Sequence, residues 1–133
     1  MRQSLPKIVA CTALALLGGC ATATAPGSDS LPGALEAGWA GESVCEGLYQ
    51  TSDRRVLRCT FPPGVGHERH FHPAHFGYAL SGGTMKLVSA DGERTATIET
   101  GSSYSSEGVA WHEVVNVGDT TVTYLIFEEL NGE

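Results

Sequence analysis

The sequence predicts an all-β domain, a small antiparallel barrel or sandwich, on three observations. No segment shows a sustained 3.6-residue apolar period. Gly is frequent and Lys scarce, with many Val, Thr and Ser, a mix that suits short strands joined by tight turns. The candidate strands recur at short, regular spacing with Gly-containing turns between them. A chain of 133 residues with 41% hydrophobic residues has room for one packed domain, and it shows no internal repeat.

Residues 1–19 are expected to be a signal peptide. Arg2 and Lys7 form a positive start, and Ile8 to Leu17 is an apolar run broken only by Thr12. That run has the size of a signal-peptide core and is too short to span a bilayer. Leu17-Gly18-Gly19-Cys20 resembles a bacterial lipobox, in which small residues precede the Cys that is lipidated and becomes the new N-terminus. Cleavage after Ala23-Thr24-Ala25, which has A-x-A form, is the competing reading. Residues 20–38 are expected to be a flexible tether, since the stretch ATATAPGSDSLPG lacks apolar periodicity and contains two Pro. The folded domain is expected over residues 39–133. The resemblance to a lipobox implies a bacterial envelope protein, anchored by Cys20 to the outer membrane and facing the periplasm, because Ala21 is not the Asp of inner-membrane retention.

Cys45 to Tyr49 and Val56 to Phe61 read as strands around the polar turn Thr51-Ser52-Asp53-Arg54. A hairpin centred near Ser52 sets Cys45 opposite Cys59. In an oxidising compartment the two can close a disulfide; otherwise they are two unpaired small core residues. Pro62-Pro63-Gly64 ends the second strand. One long strand is expected from His70 to Leu80, ending at Ser81-Gly82-Gly83. Thr84 to Ala90 and Glu93 to Glu99 flank Asp91-Gly92, the strongest hairpin signal in the chain. Trp111 to Val117 and Thr121 to Glu128 flank Gly118-Asp119, which predicts another two-strand turn.

Charge excludes some functions. The net charge is −7, and removal of the leader leaves six basic against fifteen acidic residues. Such a surface repels nucleic acid and anionic headgroups. No Gly-x-Ser-x-Gly elbow and no Gly-rich phosphate loop occurs, and Cys45 and Cys59 lack CxxC spacing. Glu128-Glu129 are expected to be solvated at a strand end.

Histidine points to metal. Four of the five crowd into His67, His70, His72 and His75, and the fifth is His112. On a strand His70 and His72 share one face, so both imidazoles can reach one ion. His112 is the remaining histidine able to close such a site from a distant strand. Imidazole suits Fe, Mn, Zn, Ni and Cu to differing degrees.

Two motifs resemble those of the cupin superfamily. Gly64, five residues, His70-Phe71-His72, two residues, His75, six residues and Gly82 resemble the first cupin motif, Gly–His-x-His–Glu–Gly. Gly101, five residues, Glu107-Gly108, three residues, His112, three residues and Asn116 resemble the second. The resemblance covers roughly residues 49–129 and is greatest to short single-domain cupins with a His-x-His-Pro-x-His run. It implies a jelly-roll barrel and one divalent metal ion (Fe, Mn, Zn, Ni or Cu) on His70, His72, His75 and His112. His75 stands one residue early in place of the family's Glu, and Glu107 replaces a Pro. The shift flips strand parity. A kink at Pro73-Ala74 turns His75, Gly77 and Ala79 inward, leaving space for a ligand beside the metal; without one, Phe76, Tyr78 and Leu80 fill the barrel.

Similar cupins include dioxygenases, isomerases, decarboxylases and lyases, and a centre of three or four His resembles the dioxygenase end of that range. Two function classes stay open at this level: a mononuclear metal enzyme acting on a small molecule, and a non-catalytic module that captures a small ligand or metal. An open coordination position favours the first, a closed four-His tetrahedron the second. The expected partners are a small molecule and the membrane, with a homodimer left open.

Overall fold

The computed structural model describes residues 30–130. The leader, Cys20 and most of the expected tether lie outside them. Two antiparallel sheets face one another. The larger has five strands in the order β3 (Cys45–Gln50), β4 (Arg54–Phe61), β11 (Val122–Glu129), β6 (His75–Ser81) and β9 (Ser103–Ser106). The other has four, in the order β5 (Gly66–His72), β10 (Val109–Asn116), β7 (Gly83–Ser89) and β8 (Gly92–Ile98). A short pair, β1 (Gly38–Trp39) and β2 (Glu42–Ser43), precedes them. Leu57, Phe61, Met85, Val114, Val122 and Ile126 are buried between the sheets. This is the expected all-β jelly roll.

Hairpins with local turn signals form as the sequence indicates. β7 and β8 pair around Asp91-Gly92, where Gly92 has φ +111°, a backbone conformation open to Gly and strained for other residues. In β3 and β4, Cys45 lies opposite Cys59 and the two sulfurs are joined in a disulfide.

Three expectations change. The single strand expected over residues 70–80 is two strands in different sheets: β5 pairs with β10, while β6 pairs with β11 and β9. Pro73 has no N–H for a ladder, and the corner is fastened where Glu129 N donates to Ala74 O at 2.8 Å. The segments flanking Gly118-Asp119 also belong to different sheets, so that turn is a crossover. Asn116 holds it: its Nδ2 donates to Phe61 O and Thr120 O, both at 2.7 Å, and Gly118 N donates back to its Oδ1. Finally, the expected tether reaches too far. Ala34 and Ala37 are buried, Gly33 bridges to Phe71, and Phe71 N donates to Pro32 O. Ala34 packs in the core cluster and the segment pairs with β5 at Phe71, so it belongs to the domain.

Candidate metal centre

The corner at Pro73 sets the histidine geometry. His70 and His72 lie two apart on β5 and face inward. Past the corner the inward parity is odd: His75, Gly77 and Ala79 are buried while Phe76, Tyr78 and Leu80 are exposed. His112 reaches the same space from β10, opposite His70. Two register shifts in the β5–β10 ladder flank this pair. The one between His70 and His67 adds a residue to β5, which turns His67 inward as well. His67 is 2% exposed and its ring stacks on His70 with centroids 3.7 Å apart.

His70 Nε2 lies 3.0 Å from His72 Nε2 and 2.9 Å from His112 Nε2. Ligand atoms from His70, His72 and His112 all fall within 4.8 Å of one another. His75 is not in that group. It faces the same cavity, with its ring centroid 4.6 Å from that of His72, and its Nδ1 donates to Pro73 O at 2.8 Å. The structure thus gathers three of the four histidines expected as ligands. The corner that turns His75 inward also moves it onto the other sheet.

The donor set fits a metal ion. His70 Nδ1 donates to Glu68 O at 2.6 Å, and His72 Nδ1 donates to the Glu128 carboxylate at 2.7 Å. With Nδ1 carrying the proton, a neutral ring presents an Nε2 lone pair. Two such lone pairs 3.0 Å apart repel unless a cation stands between them. A proton is disfavoured: burial and then His67 push His70 down to about 2, and burial and then His72 push His112 down to about 3. Two nitrogens bonded to one ion at ~2.0–2.1 Å can come within about 2.9 Å of each other.

Glu128 is the residue that sequence reasoning missed. Expected in solvent, it is 1% exposed. One oxygen accepts from His72, and the other accepts from Arg55 Nε at 2.8 Å. Arg55 also reaches Glu36 at 3.3 Å. Burial works to raise the Glu128 carboxyl, and the hydrogen bonds from His72 and Arg55 outweigh it, so the group lies below its ordinary value. A signal was present, since Val122, Ile126 and Glu128 share parity on β11, and Arg55 lies directly opposite Glu128. The Glu68 carbonyl holds His70, while its side chain accepts from Ala40 N.

The histidines border a cavity of about 540 Å³ between the sheets. Its walls include Leu87, Ile98, Val109 and Tyr124, with serines of the β9 edge and Arg94 of β8. The room expected beside Gly77 is taken by Tyr104, whose ring occupies the place a Cβ would need. Tyr104 stands opposite Gly77 on β9 and packs edge-on to His75, with centroids 5.6 Å apart. Burial, then the nearby Glu128 charge, push its phenol up to about 12, so it stays a hydrogen-bond donor.

The chain belongs to the cupin domain family, whose model matches residues 57–128. Solved structures share the fold. A cupin domain from Bordetella pertussis Tohama I is 23% identical with a TM-score of 0.61, over 74% of this chain and 95% of that one. A cupin-like protein from Thermotoga maritima MSB8 is 14% identical with a TM-score of 0.54, over 65% of this chain and 68% of that one. A predicted oxalate decarboxylase from Thermotoga maritima is 20% identical with a TM-score of 0.51, over 65% of this chain and 78% of that one. No curated protein matches the chain.

Proposed function

We propose that this cupin is a metal-dependent enzyme of the bacterial envelope, holding one divalent transition ion on His70, His72 and His112 and acting on a small molecule in the adjoining cavity. The observation that carries the reading is the convergence of the Nε2 atoms beside a cavity of about 540 Å³. Three protein ligands leave positions open towards the cavity, as catalytic sites require. When bound, such an ion supplies polarisation of a coordinated substrate or redox chemistry with O₂, the dioxygenase-like end of the family. Glu128 and the Glu68 carbonyl keep the His72 and His70 rings in the ligating tautomer. Tyr104 offers a phenol proton from the cavity wall. Lipid on Cys20 would anchor the domain to the membrane, facing the periplasm.

The full chain should carry one transition-metal ion when purified from its native envelope fraction and assayed by elemental analysis. Oxygen uptake with small acids, thiols and phenols then tests catalysis. A chain that binds no transition metal in stoichiometric amount would overturn the reading. Mass spectrometry should find acylated Cys20; an unmodified N-terminus following Ala25 would overturn the anchor.

A further inference from the structure

Among the described residues, Arg94 is the cation without an ion-pair or ring partner. Six Lys and Arg side chains lie among the described residues. Arg54 meets Asp53, Arg55 meets Glu128 and Glu36, Arg58 meets Glu46, and Lys86 meets Glu93. Arg69 lies over the Trp111 ring at 3.9 Å. Arg94 has no carboxylate, hydrogen-bond acceptor or ring partner among the described residues, although the chain has a net charge of −7. The neighbouring Glu93 is on the opposite face of β8 and turned to Lys86. Arg94 instead lines the cavity, on the strand opposite Leu87. Its charge is felt inside: burial and then Tyr104 raise the Tyr124 phenol, and Arg94 opposes them.

The rest of the wall narrows the ligand. Leu87, Ile98, Val109 and Tyr124 give an apolar surface wide enough for a ring or a branched chain, and serines of β9 add neutral hydrogen-bonding groups. A dianionic phosphate would call for more than the one guanidinium that stands unpaired among the described residues. A monoanion on an apolar body matches both features, and a guanidinium forks onto a carboxylate with two parallel hydrogen bonds.

Resting on the reading of this cavity as the ligand site of the metal centre, we propose that Arg94 is the anion anchor of the cavity, and that its ligand is a small carboxylic acid with an apolar, aryl-sized body. The carboxylate pairs with Arg94, the body lies on the apolar wall, and the far end of the molecule faces the histidines. Arg94 is thereby a specificity-determining residue that selects acids over their neutral analogues.

The test is calorimetric titration of the full chain, with its metal, using benzoate and 3-phenylpropanoate against benzamide, 3-phenylpropanamide and inorganic phosphate. At least one acid should bind ~10-fold or more tightly than its amide, since charge-assisted bidentate contacts are the strong ones. Arg94→Gln should remove that preference with metal content and thermal midpoint unchanged, and Arg94→Lys should restore part of it. Equal binding of acids and amides would overturn the proposal. So would an Arg94→Gln chain that binds acids like the wild type, failure of both acids to bind, or phosphate binding as tightly as the acids. Metal content measured on the same samples reads the metal centre separately: Arg94-dependent acid binding by a chain without metal would sink that centre and leave the anchor standing.

Discussion

Along β5 and the start of β6 the cavity wall is prearranged. His70, His72 and His75 each have Nδ1 held by an acceptor, and the acceptor of His72 is in turn held by Arg55. Elsewhere on the cavity wall, β8 and β9 present serines, one phenol and an arginine. The first wall has settled its hydrogen bonds so that lone pairs face inward. The second uses part of its polar groups locally, Ser106 exchanging hydrogen bonds with Gly108, and leaves the Arg94 guanidinium without a partner among the described residues. A cation suits the first and a polar ligand the second, and the two functions can therefore be disturbed separately.

Stripping the first wall should have the largest effect. His70→Ala/His72→Ala removes two of the three converging nitrogens, and elemental analysis should find metal lost altogether. Full retained stoichiometry would refute the centre. Next is the support of that wall. Glu128→Ala leaves Arg55 buried and facing a missing charge, which should destabilise the fold by about 3–5 kcal/mol in denaturant unfolding. The milder Glu128→Gln should weaken metal affinity ~10–100-fold, measured by competition with a chelator. Unchanged affinity would show that the carboxylate does not orient His72.

The disulfide stands behind the same cavity, with Cys59 in its lining. It closes a loop with a sequence separation of 14. Cys45→Ala/Cys59→Ala should lower stability by about 3 kcal/mol while metal stoichiometry holds, which separates scaffold from site. His75→Ala sharpens the comparison within the histidines. Because His75 lies outside the converging group, the variant should keep one metal ion per chain. Loss of the metal would make His75 the fourth ligand after all.

The smallest effect concerns the phenols. Burial raises both Tyr104 and Tyr124, the first to about 12, so the folded state holds these protons longer than the unfolded chain does. Their contribution is present in full below pH ~10, the ordinary tyrosine value, and is lost as pH rises towards the folded values. Thermal midpoints should fall across that alkaline range, and less so in Tyr104→Phe. A variant with the wild-type alkaline profile would show that this phenol is not protected.

What the sequence by itself determined is what depends on neighbours along the chain. Asp91-Gly92 specifies its hairpin because few residues accept the backbone of that turn. The hairpin centred near Ser52 brought Cys45 against Cys59 because strand pairing follows from its turn. His70 and His72 share a face because side chains alternate. The tertiary structure decided the rest. Whether Pro73 kinks a strand or ends it depends on which sheets lie on either side, and that choice put His75 inside the cavity and outside the three-histidine group. His67 turned inward through an extra residue whose position only the partner strand β10 defines. Tyr104 filled the room over Gly77 because β9 pairs with β6 across a long stretch of chain. Glu128 became a buried support because its partners, Arg55 and His72, are brought to it by strands distant in sequence, and a carboxylate is stable in such a place when opposite charge and hydrogen bonds meet it there.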